Sequence, residues 1–304
     1  MKSMIQPFKL GYADFGCLSV NRMADFYENT LGFTTVEVGE NGAYYISAGV
    51  DHHNVILRSS STSALNTIGY QIAKNESLSD IQKYLKTKGI SSEIKTDFQP
   101  GVSKLLEFKD PDEYIIHLFQ EMEMPAPGYK LDKVSPHKLG HIALGSLKPK
   151  DSVDFYMNIL NFHYTDRIGD KATFLTCNSD HHVLNISNFK HKMMHHVAFE
   201  LKDSAHHVSS ADYLASKKHE ILWGPSRHTA GHNIASYHHD PELNVIELYT
   251  EMDQYIPELD CFDPRPWHEE LPLKPRNWDF NCTWFTKFEN DIIDSVMKKV
   301  KVGN

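Results

Sequence analysis

Cysteine is scarce. Cys17, Cys177, Cys261 and Cys282 are scattered over 304 residues, with no Cys-x-x-Cys spacing. That argues against a cysteine-based zinc site and a disulfide framework, and it suits a reducing compartment. Long apolar runs are missing too, since nothing approaches the roughly 18 consecutive apolar residues of a membrane span. No charged and apolar leader of the secretory kind opens the sequence, so the expected location is the cytoplasm. Positive charge is also in deficit. Lys and Arg total 31 against 40 Asp and Glu, a formal net charge of −9. An extended nucleic-acid-binding surface is therefore not expected.

Histidine, by contrast, is abundant, at 19 residues. Many stand in pairs: His52-His53, His181-His182, His195-His196, His206-His207 and His238-His239. Neighbours in a strand face opposite ways, so at most one of each pair is expected to point into a given site.

The chain contains an internal repeat, which decides the architecture. The segment from Leu10 to Phe33 resembles that from Leu139 to Phe162, with Leu10-Gly11 matching Leu139-Gly140 and Asp25-Phe26-Tyr27 matching Asp154-Phe155-Tyr156. Each copy reads as a strand, a loop and an amphipathic helix. Pro149 and Asp151 suit a helix start, and Val153, Tyr156, Met157 and Leu160 recur at helical spacing. Further on, Asp51-His52-His53 mirrors Asp180-His181-His182, and the strand Tyr114 to Gln120 mirrors Asn244 to Thr250. A first domain over 1–124, a linker over 125–136 opening with Pro125-Ala126-Pro127-Gly128, and a second domain over 137–252 follow. Residues 253–304 have no counterpart. They read as a tail that either wraps the second domain or makes oligomer contacts, ending in a helix-like stretch from Glu289 to Lys301. A strand, a helix and three further strands per module predict α+β sheets, not a doubly wound parallel one.

Three strands of the second copy carry a polar residue in an apolar setting: His141, His196 and Glu247. A carboxylate buried in a strand such as Val245-Ile246-Glu247-Leu248-Tyr249 is costly unless paired. The first copy is an internal control. Tyr12 stands opposite His141, Tyr70 aligns with His196, and His117 stands opposite Glu247. The three-ligand set is confined to one copy, which points to function, not scaffold. Two histidines and one carboxylate with open positions suit non-heme Fe(II). Zinc, nickel or manganese also accept such a set.

The segment Tyr237-His238-His239-Asp240-Pro241-Glu242-Leu243-Asn244-Val245-Ile246-Glu247 resembles the ring-cleavage motif of type I extradiol catechol dioxygenases of the vicinal oxygen chelate superfamily. The resemblance extends over about 10 to 250. One departure is Leu243, where that family usually has Gly or Pro. The resemblance implies tandem βαβββ modules, each domain a curved mixed sheet enclosing a cavity. It implies Fe(II), with Mn(II) as a second candidate, held by His141, His196 and Glu247. His182 would be the acid–base group above the ring, with its twin His181 the competing assignment. His228 would be a donor near bound oxygen, and Tyr237 would bond the substrate oxygen at the metal. A small-molecule catechol and O2 would be the reactants, a muconic-semialdehyde-type compound the product, and a homo-oligomer the expected assembly.

Two other readings stay open, a glyoxalase-type metal isomerase and a non-catalytic protein that binds an aromatic compound. On the leading reading His181 contributes little. His206-His207 are expected to face solvent, and His52-His53 to be a relic of duplication. Trp267, Trp278 and Trp284 are expected to pack. Arg227 is either a partner for a substrate carboxylate or a surface charge.

Overall fold

The computed structural model describes residues 5–128 and 130–287. The expected helix from Glu289 to Lys301 lies outside them. The chain groups into two compact units. One holds the described residues of Met1–Leu139 with Lys150–Asn161, the other those of Gly140–Pro149 with Phe162–Asn304.

The first repeat runs β1 (Pro7–Cys17), α1 (Val20–Asn29), β2 (Thr34–Val38), β3 (Tyr44–Ser47), β4 (Val55–Ser59), β5 (Ala64–Ile72), α2 (Leu78–Thr87), β6 (Ser92–Gln99), β7 (Val102–Lys109) and β8 (Ile115–Phe119). This is strand, helix and three strands, twice over. Its eight strands form one mixed sheet in the order β2-β3-β4-β1-β5-β8-β7-β6. The second repeat follows the same plan. It comprises β9 (Lys138–Gly145), α3 (Pro149–Asn158), β10 (His163–Ile168), β11 (Ala172–Thr176), β12 (Leu184–Ser187), β13 (Met193–Glu200), α4 (Ser204–Ser216), β14 (Ile221–Arg227), β15 (Ile234–His239) and β16 (Val245–Thr250). These are the tandem α+β modules of the vicinal oxygen chelate fold. The tail adds the short pair β17 (Tyr255–Ile256) and β18 (Cys261–Phe262), then β19 (Arg276–Trp278). β19 extends the second sheet at its edge, pairing parallel with β10. The tail therefore wraps its own unit, one of the two roles expected of it.

Strand registers test the alignment of the copies. β9 pairs with β12 through Ile142↔Leu184, as β1 pairs with β4 through Ala13↔Val55. β15 sets Tyr237 against Glu247, as β7 sets Glu107 against His117. β13 sets Ala198 beside Glu247, as β5 sets Gly69 beside His117. The last register corrects one expectation. The counterpart of His196 is Thr67, and Tyr70 corresponds to Phe199. A three-residue slip turns a strand position to the opposite face.

Two repeated motifs gain a physical reason. A Cβ on Gly140 would stand 2.0 Å from the Tyr249 hydroxyl, and one on Gly11 2.5 Å from the Phe119 ring. The Leu-Gly pair is therefore where an aromatic ring from the last strand lies against the first. The Asp-Pro turn is held by its aspartate: Asp240 Oδ1 accepts from the amides of Glu242 (2.8 Å) and Asn244 (2.9 Å). Asp110 Oδ1 does the same for Asp112 and Tyr114, both at 2.9 Å. Each turn then needs a left-handed residue, Glu113 at φ 66° and Leu243 at φ 63°. That is the conformation in which glycine is unstrained.

The helix expectations need one adjustment. α3 begins at Pro149 as expected but buries Ser152, Phe155 and Tyr156, while Val153 and Met157 are half-buried. It sits with the first unit, where Tyr156 donates to Asp110 Oδ2 (3.0 Å) and Ser152 to Asp112 Oδ2 (2.6 Å).

Two substitutions check these readings by thermal melting. Leu243→Gly relieves the left-handed strain at an exposed side chain and should stabilise the protein by about 1 kcal/mol, a rise of a few degrees in Tm. Gly140→Ala forces the Tyr249 ring away and should cost about 1–3 kcal/mol.

Candidate metal centre and cavity

His141 comes from β9, His196 from β13 and Glu247 from β16, three neighbouring strands of one sheet. All three side chains are buried. His141 Nε2 lies 3.1 Å from His196 Nε2 and 3.2 Å from Glu247 Oε2, and His196 Nε2 lies 3.0 Å from the same oxygen. The three donor atoms thus form a nearly equilateral triangle. An octahedral ion with donors at about 2.1 Å sets adjacent donors about 3.0 Å apart, and a tetrahedral one about 3.4 Å. The triangle fits one face of an octahedron, leaving the opposite face for exogenous ligands.

A second cluster, His232, Asp253 and His268, has a different geometry. His232 Nδ1 donates to Asp253 Oδ2 (2.7 Å), while His268 Nε2 (2.9 Å) and Trp267 Nε1 (3.0 Å) donate to Oδ1. The two histidine nitrogens address different oxygens, and an indole N–H, which can only donate, shares Oδ1 with His268. This is a hydrogen-bonded clamp that fastens the tail. Burial would raise the Asp253 carboxyl, but the two histidines overcome it and hold the carboxyl far below the usual range.

Glu247 is held from every side. Tyr237, directly opposite on β15, donates its hydroxyl to Oε2 at 2.8 Å. Asn233 Nδ2 donates to Oε1 at 2.9 Å. Burial would raise the Glu247 carboxyl, but the adjacent His141 and His196 hold it well below the ordinary value. Burial, with Glu247 beside it, pushes the Tyr237 hydroxyl well up, so it stays a donor. His228 follows β14. It stacks on Trp223 (ring centroids 5.1 Å) and sets Nε2 3.0 Å from Tyr237 Oη and Nδ1 3.2 Å from the carbonyl of Asn281. Burial lowers its basicity, favouring the neutral ring.

These groups line a cavity of about 630 Å³ within the second unit. His182 lies on its wall with its ring 4.2 Å from that of His141. His181 does not reach the cavity. It is fully buried behind His182, with Nδ1 2.9 Å from His182 Nδ1 and Nε2 3.1 Å from Asp166 Oδ2. The structure thus places His182, not its twin, where a ligand would sit. Burial and the flanking histidines hold His182 well below its ordinary pKa, so it is neutral.

Several residues depart from expectation. His195 lines the cavity beside His196 instead of facing away, because the two rings meet through Nδ1 atoms 2.6 Å apart. His207 is buried on α4 with Nε2 2.7 Å from Ser236 Oγ, not turned to solvent. His52 and His53 are buried and bonded to each other at 3.0 Å. Arg227 is neither a cavity cation nor a surface charge. It pairs with Glu251 at 2.8 Å, donates to the His232 carbonyl and lies over Trp267. Trp267 and Trp278 pack, but their N–H groups also hold Asp253 and Asp166. Asn233 was not anticipated. The signal for it is its place immediately before β15, four residues before Tyr237.

The equivalent place in the first unit is closed by protein groups. Tyr12 Oη lies 2.6 Å from His117 Nδ1, whose Nε2 lies 2.8 Å from Glu107, itself paired with Lys95 at 2.7 Å. Two of the positions that offer donors to one point in the second unit, those of His141 and Glu247, are bonded to each other in the first as Tyr12 and His117, and the counterpart of Tyr237, Glu107, closes the other end.

Residues 138–248 match the model of the Glyoxalase/Bleomycin resistance protein/Dioxygenase superfamily. Metapyrocatechase 2 of Cupriavidus necator is 29% identical over 130 residues, 42% of this chain and 40% of that protein. Metapyrocatechase of Geobacillus stearothermophilus is 22% identical over 280 residues, 83% of this chain and 84% of that protein. Among solved structures, homoprotocatechuate 2,3-dioxygenase from Arthrobacter globiformis superimposes with a TM-score of 0.81 at 19% identity, covering 97% of this chain and 92% of that one. A Mn(II)-bound glyoxalase from Novosphingobium aromaticivorans gives 0.75 at 26% identity, covering 82% and 84%.

The two clusters make opposite predictions. Metal titration of the full chain under anaerobic conditions should give one equivalent of tightly bound Fe(II). Glu247→Gln should weaken it roughly 100-fold or more, since even groups behind a ligand are worth 10–100-fold. Asp253→Asn should leave the stoichiometry at one, and a second equivalent lost with that substitution would make the clamp a metal site.

Proposed function

Because residues 138–248 form a domain of the Glyoxalase/Bleomycin resistance protein/Dioxygenase superfamily, we propose that the protein is an Fe(II)-dependent extradiol dioxygenase that opens the ring of a catechol with O2. The observation that carries this reading is the octahedral-face triangle of His141, His196 and Glu247 at the end of a cavity that also receives His182 and Tyr237. Such a face leaves adjacent positions for a chelating diol and for O2. The likeness to two metapyrocatechases supports the substrate class. The product would be a semialdehyde containing both oxygen atoms, in the breakdown of aromatic compounds. A cytoplasmic location and a homo-oligomer belong to the same proposal.

When bound, the metal supplies charge that acidifies the hydroxyls of the diol and a route for electrons from the ring to O2. The chain's own groups do the rest. Neutral His182 can take a proton from a hydroxyl of the diol and return it later, as a general base and then an acid. Tyr237, kept protonated, can donate to a substrate oxygen. Its single proton is directed at Glu247, with His228 Nε2 beside the same oxygen, and would turn from them to a bound substrate oxygen. The apolar wall of Ile168, Phe174, Phe189 and Phe280 excludes water and accommodates ring substituents. A glyoxalase-type isomerase on Mn(II) is the second reading, favoured by the Novosphingobium neighbour. It consumes no O2.

Protein purified anaerobically with Fe(II) and mixed with a panel of catechols in air should take up O2 and form a yellow product. Absence of O2 uptake across the panel rejects the dioxygenase. His182→Phe should keep its metal and lose turnover by on the order of 100-fold or more.

A further inference from the structure

Behind His182 runs a chain of hydrogen bonds whose direction can be worked out from its ends. Asp166 lies on β10 at a register shift, where Tyr164 and Asp166 face the consecutive residues Leu175 and Phe174 of β11 and Thr165 is the extra residue between them. Its Oδ1 accepts from the backbone N–H of Arg276 at 2.8 Å, and its Oδ2 from Trp278 Nε1 at 2.7 Å. Neither of those groups can do anything but donate, so the carboxylate is fixed as an acceptor. The remaining partner of Oδ2 is His181 Nε2, at 3.1 Å, and that nitrogen must carry hydrogen. With that as its one N–H, His181 keeps a lone pair on Nδ1. It faces His182 Nδ1 at 2.9 Å, and a contact between two ring nitrogens needs one hydrogen, which His182 must provide. His182 Nε2 is left with its lone pair.

We propose that Asp166 and His181 are positioning residues that fix the proton of His182 on Nδ1, so that Nε2 is presented to the cavity as a proton acceptor. This rests on the reading of His182 as the acid–base group. It reverses the expectation that His181 is dispensable. The packing is built to hold the chain still. His181 stacks on Phe262 (ring centroids 5.0 Å, 23° between planes), and His182 stands edge-on to Phe174 (4.9 Å). The first unit shows the same order of groups, Glu37, His52 and His53, with 3.3 Å and 3.0 Å contacts. There the far end is closed by Gln99 at 3.1 Å. Glu37 is also half-exposed, with a side-chain exposure of 45% against 3% for Asp166. The scaffold motif is common to both copies. In the second its base is clamped by the tail and its end opens on a cavity.

The test reads the proton directly. The full chain, labelled with ¹⁵N at histidine and loaded with Zn(II) as a diamagnetic probe, should show His182 with hydrogen on Nδ1. Hydrogen on Nε2 of His182 would overturn the proposal without reference to any variant or to activity. In Asp166→Ala no acceptor remains for His181 Nε2. The His181 ring can then turn its hydrogen to Nδ1, and the His182 hydrogen should move to Nε2. In the Fe(II)-loaded protein, kcat for a catechol should fall on the order of 100-fold or more, with KM and metal content within about threefold of the parent. His181→Asn, which can keep an acceptor facing His182, should retain more kcat than His181→Phe. Equal loss in the two, or an unchanged tautomer in Asp166→Ala, would reject the positioning role. If the parent cleaves no catechol, the proposed reaction fails, and the ¹⁵N measurement still decides the direction of the chain.

Discussion

The second unit depends on one buried carboxylate. Glu247 lies in the middle of β16 with 1% of its surface exposed. Burying an unpaired carboxylate is prohibitive, so the neighbouring strands must supply donors or a cation. Strand register answers this demand. Tyr237 is directly opposite on β15, and Ala198 directly beside on β13. Placing Ala198 there sets His196 two residues away on the same face, since side chains alternate with period two. β9 brings His141 from the next strand. A slip of one residue in any of these pairings would turn a donor away and strand the charge. The register that makes the sheet is therefore also what makes the triangle of donors.

The duplication separates what the scaffold needs from what the chemistry needs. Both copies keep the aspartate-held turn, the glycine under an aromatic ring and the paired histidines joined through Nδ1. They differ where the donors converge. In the first copy Tyr12, His117 and Glu107 close a hydrogen-bonded chain ending at Lys95. In the second, Nε2 of two histidines and a carboxylate oxygen meet with no protein cation among them. Histidine in a strand is compatible with either outcome, and only the partners distinguish them.

Much of this was legible in the sequence. The βαβββ repeat followed from matched blocks, and the place of Glu247 from an acid inside a β-branched run after an Asp-Pro turn. The failures have a common cause. Period-two reasoning treats each side chain as pointing to one face or the other, yet His195 and His196 both reach the cavity because adjacent rings can turn to share a hydrogen. His207 and Arg227 are buried by partners far away in sequence, Ser236 and Glu251, that no local pattern announces. The alignment of His196 with Tyr70 failed because β5 and β13 share little beyond their hydrogen-bonding register. His181 was set aside for a related reason: its value lies in Asp166, 15 residues earlier and on another strand.

The tail has no counterpart in the first copy, and neither has the donor triangle. The described part of the tail touches the site at two points. β19 supplies the two donors that fix Asp166, and through His181 it bears on His182. Residues 280–283 run along the end of β14, where the amide of Thr229 donates to the Asn281 carbonyl and that of Thr283 to the Arg227 carbonyl. The Asn281 carbonyl also faces His228 Nδ1, so the tail sets the hydrogen-bonding of that ring as well. Phe280 of this segment and Phe285 just beyond it also line the cavity. Two histidines that the repeat alone would leave free to choose a tautomer are thus each fixed from outside the repeat. The repeat places the metal donors, and the tail orients the imidazoles around them. On this division of labour, changes in the tail alter proton transfer and substrate fit before they alter metal binding, because none of His141, His196 and Glu247 takes a hydrogen bond from the described residues of the tail.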